Sequence, residues 1–509
     1  MAIVKKFIPK IRKILWAAFL LSLPVTNFRY FPGNIGGSKV QVRPLLAIPM
    51  ALLLLLSIPR LWKKKLPRLF LPIIIFFFFI VISSSVPYVM GYTSELGEMS
   101  YTARLIRTLI TLFLGLGIYV TVSITPLDRD DLKFTLKWLY AGLALAIFWG
   151  TLQMIFILDL IPGWYTIMSK IQAHITINVG TSERIMGLTL EPSWFADQIS
   201  ALWLPWVLPA AIQNRTVFKK RWKWITIERI LLVWMLIVLI FTLSRAGFVV
   251  AMVVIGCGIL FFLPKRKLND EKPKSEMNLL GRLMDLYYKI PQVVRYTIIA
   301  ATLLAVIGGL VYYVGKDNKY INRMWLYWGN YSDITDAVGT RSLGGFFRYI
   351  GFGPRFIYWE TAYRVFLKYP IFGVGLGNYT FHFIDSLPSI QVGFVPEILT
   401  RIVPDHIRVV TGKNYFARLL AETGIMGTGA FITFLVTLTS GGLYLWLSDN
   451  PEVKFWGAGS LLGIIAFLVD TFSYDSLAIP NPWVVFGLIT AAVTIYTKTD
   501  ILNNGGTPE

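Results

Sequence analysis

Long apolar runs recur along the chain, separated by short polar or basic stretches. They fall at 12–26, 43–60, 69–90, 104–123, 136–158, 195–213, 226–243, 246–264, 297–314, 427–447, 454–472 and 482–497. A hydrocarbon core about 30 Å thick takes about 20 apolar residues to cross as a helix. Lipid offers no partner for backbone N–H and C=O groups, so a spanning segment must pair them internally. The pattern therefore predicts an all-α polytopic membrane protein of about twelve transmembrane helices. Ile73–Ile80 and Leu231–Ile240 are its clearest runs.

The spacing also sets the organisation. Residues 1–314 hold the first nine spans, with an amphipathic segment near 264–296. There Met277, Leu280, Leu283, Met284, Tyr287 and Ile290 recur at helical spacing, as in a helix lying in the membrane interface. Residues 315–426 form one large, hydrophilic to amphipathic, partly helical loop, and 427–497 hold the last three spans. Residues 498–509 are a tail whose composition predicts disorder. No two halves share their punctuation, which counts against an inverted-repeat carrier.

Charge changes the picture from spans to orientation. The chain has 49 Lys and Arg against 28 Asp and Glu, for a formal charge of +21, and its mean hydropathy is +0.61. In a soluble domain that charge would suggest nucleic acid; here no nucleic-acid partner is expected. The basic residues cluster in alternate loops, as at Lys63–Lys65 and Lys219–Arg221. With the N-terminus inside, 29 of the 49 face the cytoplasm, 8 face outward in the short loops, and 12 lie in the long outer loop. This bias predicts a cytoplasmic (inner) membrane protein with both termini in the cytoplasm and the 315–426 loop outside. The basic N-terminus followed by Ile14–Val25 resembles a signal peptide without a cleavage site, hence a retained first helix.

Some chemistries are disfavoured. Cys257, the one cysteine, sits in an apolar run and cannot form an internal disulfide. The three histidines, His174, His382 and His406, have no paired spacing, so neither a metal site nor a cofactor is expected. Gly373-x-Gly-x-Gly377 invites a phosphate-loop reading, but no Lys-Ser/Thr helix follows, and a flexible turn is the better reading. The aromatics Trp325–Tyr331 could stack on sugars or pack on the bundle. Arg245 lies in the tight outer hairpin Thr242-Leu-Ser-Arg-Ala-Gly247. It is either a snorkelling interface residue or an anion ligand. Glu191, in Glu191-Pro-Ser193, suits the start of a helix; Arg184, seven residues earlier, needs another explanation or pairs with it.

Four strings, in this order, resemble the O-antigen ligase and O-antigen polymerase superfamily of bacterial envelope proteins. They are Arg184-Ile-Met-Gly with Glu191-Pro-Ser; Thr242-Leu-Ser-Arg-Ala-Gly247; Arg355-Phe-Ile-Tyr-Trp359 with Tyr369-Pro-Ile-Phe-Gly-Val-Gly-Leu-Gly-Asn-Tyr379; and Asn414-Tyr-Phe-Ala-Arg-Leu-Leu-Ala-Glu422-Thr-Gly-Ile-Met-Gly427. The family's fourth motif usually opens His-Asn, with a His regarded as important for catalysis. This chain has Lys413-Asn414, and its nearest histidine is His406. Glu-Pro-Ser near the sixth span looks more like the polymerase branch.

The resemblance implies a GT-C-like membrane glycosyltransferase. It would move glycan from an undecaprenyl-pyrophosphate-linked oligosaccharide at the outer face of the cytoplasmic membrane. A polymerase would pass it to the next lipid-linked repeat unit, with a chain-length regulator as a possible partner. A ligase would pass it to lipid A-core. The pyrophosphate leaving group gathers negative charge, which Arg184, Arg245, Arg355 and Lys413 are candidates to hold without a metal. The acceptor hydroxyl needs a base, for which Glu191, His406 and Lys413 compete. A flippase for lipid-linked oligosaccharide is the reading from another class; the single large outer loop and the absence of repeats weigh against it.

Overall fold

The computed structural model describes residues 2–32, 34–35, 38–40, 42–62, 66–91, 95–96, 99–180, 183–218, 225–262, 353–388 and 409–503, with isolated positions at 290, 294, 309 and 397–398. All but position 309 of the ninth predicted span, nearly all of the 264–296 segment, Trp325–Tyr331 and His406 lie outside the described residues.

The described chain is helical apart from two hairpins of two-residue strands, Asn34–Ile35 with Ser38–Lys39 and Glu95–Leu96 with Met99–Ser100. In order the helices are α1 (Ala2–Ser22), α2 (Ala47–Leu61), α3 (Leu71–Val89), α4 (Tyr101–Ile124), α5 (Arg129–Ile157), α6 (Trp164–Ala173), α7 (Pro192–Asp197), α8 (Leu204–Ile212), α9 (Ile227–Phe241), α10 (Arg245–Phe262), α11 (Gly353–Lys368), α12 (Tyr415–Trp446), α13 (Pro451–Asp470) and α14 (Pro480–Asn503). Among the described residues, seven helical runs are long and apolar enough to cross a membrane: Arg68–Val89, Tyr101–Ile124, Arg129–Ile157, Pro192–Ile212, Arg245–Phe262, Tyr415–Trp446 and Pro451–Asp470. The protein is a polytopic all-α membrane protein.

Side-chain caps fix several helix starts. Ser100 accepts from the Ala103 amide at 3.2 Å, Asp128 from Asp131 at 2.8 Å, and Asn414 from Ala417 at 2.9 Å. Each cap satisfies an N–H that the first turn leaves open. The run Pro192–Ile212 lies deepest, 94% buried in its apolar window. Between α7 and α8 it widens into a π-helix at Gln198–Trp203. Pro205 cannot donate to the Ala201 carbonyl, and its ring would crowd that oxygen; the wider turn relieves the conflict. Against this run pack α9, α10 and α13, while α12 packs on α3 and α13, and α14 on α4.

Hydropathy places the tenth span at 427–447, yet α12 begins at Tyr415, after the Asn414 cap. The helix breaks at Gly424, whose φ of 61° and ψ of −164° are not helical. The segment Pro370–Gly377 fills that break. The amides of Val374 and Gly375 donate to the carbonyls of Ala421 (3.0 Å) and Glu422 (2.9 Å). In return, the amides of Ile425 and Met426 donate to Pro370 (2.9 Å) and Ile371 (3.3 Å). Four backbone groups freed by the kink are thus paired inside the fold.

Candidate functional site

The short turn after α13 gathers two of the expected anion ligands. Nη1 of Arg355, on α11, donates to the carbonyls of Phe472 (3.2 Å) and Ser473 (3.0 Å). Burial lowers the Arg355 pKa, and the carboxylates of Glu397, Asp475 and Asp197 oppose that shift. The Lys413 amide donates to Asp475 Oδ2 at 2.8 Å, while the Lys413 carbonyl faces Trp359 Nε1 at 3.4 Å. Lys413 holds a left-handed φ of 52°, uncommon for a residue with a β-carbon. Its ammonium, half-buried, has no hydrogen-bond or ion-pair partner among the described residues.

Behind this turn lies a buried charged layer. Arg418 pairs with Glu422 at 3.1 Å and donates to the Asp475 carbonyl at 2.7 Å. Arg104, also buried, donates to the Gly377 carbonyl at 3.0 Å. Leu376, Tyr415, Arg418, Leu419, Glu422, Asp475 and Leu477 line a cavity of about 10 Å³, room for about one water. That is too small for a phosphate.

The Gly-rich turn is no phosphate cradle. The Gly373 amide goes to the Tyr369 carbonyl, Val374 and Gly375 close the α12 break, and the Leu376 amide meets Ser84 Oγ at 3.3 Å. The four consecutive amides of Gly373–Leu376 are thus committed to the fold.

Arg184 and Arg245 meet around the hairpin between α9 and α10, and Glu191 stands at the start of α7, which packs on α10. Nε of Arg184 donates to the Thr242 carbonyl at 2.8 Å, and Nη2 to that of Leu243 at 3.2 Å. The Ile185 amide joins the Phe241 carbonyl at 3.2 Å. Arg184 thus satisfies carbonyls that the end of α9 leaves open. Arg245 opens α10, and Gly247 two residues on lies so close to Ala196 of α7 that a β-carbon would stand 3.3 Å from the Ala196 Cα. Glu191 is the N-cap residue of α7, but its side chain caps nothing; Ser193 Oγ approaches its Oε2 at 3.3 Å, and the carboxylate is exposed.

The two groups of residues are linked. Asp197, at the end of α7, lies within the electrostatic reach of Asp470, at the end of α13, and of both Arg355 and Glu191. Asp470 leads into the turn that holds Arg355. The structure therefore brings Arg184, Glu191, Arg245, Arg355 and Lys413 to one end of the helix bundle. Asp197, Asp470, Asp475 and Arg104 were not singled out from the sequence, and Arg418 and Glu422 stood in the fourth string without a role. Charges inside or beside apolar runs were the signal that could have found the first four.

No curated protein matches the chain in sequence. A family model described as O-antigen ligase matches residues 230–432, a stretch that starts in α9, holds Arg245, Arg355, Lys413 and the Arg418–Glu422 pair, and ends within α12. Over that stretch the chain is similar to the O-antigen ligase family.

Proposed function

We propose that the protein is a repeat-unit polymerase. On this reading it transfers glycan from a polyprenyl-pyrophosphate-linked oligosaccharide to the next lipid-linked unit at the outer face of the cytoplasmic membrane. The observation that carries the reading is the ammonium of Lys413, which has no partner among the described residues and is set beside the turn that anchors Arg355. A half-buried cation without a counter-ion favours an anionic ligand, and a pyrophosphate is the anion a lipid-linked glycan presents. In the transfer, the acceptor hydroxyl oxygen bonds the anomeric carbon as the bond from that carbon to the pyrophosphate oxygen breaks. The bond's electron pair leaves with the pyrophosphate, whose charge Arg355, Lys413 and Arg245 offset. The hydroxyl proton passes to a carboxylate, and the exposed Glu191 is the best placed of the described candidates. No metal or cofactor enters this scheme.

A ligase reading has one observation in its favour, the description of the matching family as O-antigen ligase. The departure from His to Lys at position 413 weighs toward the polymerase branch. Incubating the purified protein with undecaprenyl-pyrophosphate-linked oligosaccharide alone separates the two. A ladder of lengthened products supports the polymerase. Product only after addition of lipid A-core supports the ligase, and translocation across vesicles without covalent change would sink both.

A further inference from the structure

Asp475 uses its oxygens on two different neighbours. Oδ2 accepts the Lys413 amide at 2.8 Å, and its carbonyl accepts Nη1 of buried Arg418 at 2.7 Å. Two and three residues earlier, Ser473 and Phe472 offer their carbonyls to Arg355. The turn is pinned at its start, where the Ser473 amide returns to the Asp470 carbonyl at 2.8 Å and Ser473 Oγ reaches Asp470 Oδ1 at 3.2 Å. It is pinned to α12 as well, by the Tyr415 amide on the Thr471 carbonyl at 3.1 Å. A left-handed Lys is strained by itself and persists only where its surroundings fix it. Here the fixing contact on its amide is the Asp475 carboxylate. Asp475 lies beyond residue 432, outside the stretch that matches the family model.

We propose that Asp475 is a positioning residue for glycan transfer: by holding the Lys413 amide it aims the ammonium at the donor pyrophosphate, beside the Arg355 guanidinium docked on the same turn. The proposal rests on the reading of Lys413 and Arg355 as pyrophosphate ligands. Asp475 does not act as the base, because it is 8% exposed and the carboxylate oxygen that faces Lys413 is taken.

The test measures binding of undecaprenyl pyrophosphate to the full-length purified protein, with thermal melting as a control on folding. Asp475→Asn keeps an oxygen acceptor for the Lys413 amide and loses the charge. Asp475→Ala loses the acceptor, while both variants keep the main-chain carbonyl for Arg418. The expected result is near-normal affinity for Asn and a loss of about tenfold or more for Ala, a coupling typical of residues in contact. The double variant Asp475→Ala with Lys413→Ala should bind no worse than Lys413→Ala alone. Affinity lost equally in Asn and Ala would overturn the proposal, since charge rather than geometry would then matter. So would losses that simply multiply in the double variant while Lys413→Ala keeps its own effect. If Lys413→Ala binds normally, the ligand reading falls and the positioning role falls with it. Should Asp475→Ala fail to fold, the Asn variant alone decides.

Discussion

Arg418 and Glu422, one turn apart on α12, form an ion pair at 3.1 Å with side chains only 9% and 3% exposed. The pair sits just ahead of the Gly424 break, and the Glu422 carbonyl also receives Ser83 Oγ from α3 at 2.6 Å. Removing one partner strands a buried charge, which costs about 3–5 kcal/mol. Glu422→Ala should therefore lower the melting temperature of the detergent-purified protein sharply. The paired change Arg418→Met with Glu422→Leu should cost less than Glu422→Ala alone. A Glu422→Ala protein that melts like the parent would show that the pair contributes nothing to the fold.

The closure of the α12 break gives a second prediction. Gly373 has φ of 67°, and a β-carbon there would stand 2.5 Å from the Glu422 carbonyl carbon. Gly424 has φ of 61° and faces Ile371 backbone. Alanine at either position should destabilise by about 1–3 kcal/mol, from the strained φ alone. Gly429 lies in the regular part of the same helix with nothing within 4 Å of an added β-carbon. Gly429→Ala should be neutral or stabilise by up to about 1 kcal/mol. Denaturation of the three variants side by side checks the ranking. Equal melting for Gly424→Ala and Gly429→Ala would mean that the break is not required.

Much of the bundle was legible because an apolar run of membrane-crossing length marks where a helix lies. Eleven of the twelve expected runs coincide with described helices, and all but position 309 of the remaining one lies outside the described residues. The start of α12 was not legible: Arg418 and Glu422 make its first turns look like loop, and only their mutual pairing allows a buried helix there. The π-helix was equally hidden, since hydropathy is blind to hydrogen-bond register. At the site, motif residues could be named but not assigned work. Arg184 reads in sequence as an anion ligand or a partner of Glu191, whereas its donors meet backbone carbonyls of a hairpin 58 and 59 positions away. Asp475 carries no motif at all; its role depends on the turn geometry that brings it to Lys413.

Orientation follows from charge, and it can be tested directly. The end of the bundle opposite the site carries Arg12 and Lys13 beside Asp131, at 3.6 and 3.7 Å, and Lys133 and Arg215 beside Glu452, at 3.9 and 4.0 Å. The Lys/Arg bias predicts that this end faces the cytoplasm and the site faces outward. In a Cys257→Ala background, Ile177→Cys lies at the site end and Asp449→Cys at the other, both at exposed positions. An impermeant thiol reagent added to intact spheroplasts should label the first and spare the second. The reverse pattern would turn the protein over and move the chemistry to the cytoplasm.

Arg184 and Arg245 should part company when each is replaced. Arg184 gives Nε and Nη2 to the Thr242 and Leu243 carbonyls, and Leu243 holds a left-handed φ of 48°. Without that guanidinium the two carbonyls lose their charge-assisted donors, each worth about 1.5–3 kcal/mol. The hairpin that presents Arg245 would then loosen. Arg184→Ala should reduce melting temperature and turnover together, and Arg184→Lys should recover only part of each, because one ammonium cannot span both carbonyls in the fixed fork geometry. Arg245→Lys should leave melting nearly unchanged and still cut turnover, since the planar fork matters for pyrophosphate. The measurement is a melting curve and a turnover rate on lipid-linked oligosaccharide for all three variants. If Arg184→Ala melts normally yet loses affinity for undecaprenyl pyrophosphate, Arg184 reaches the donor itself, and its hold on the hairpin is incidental to transfer.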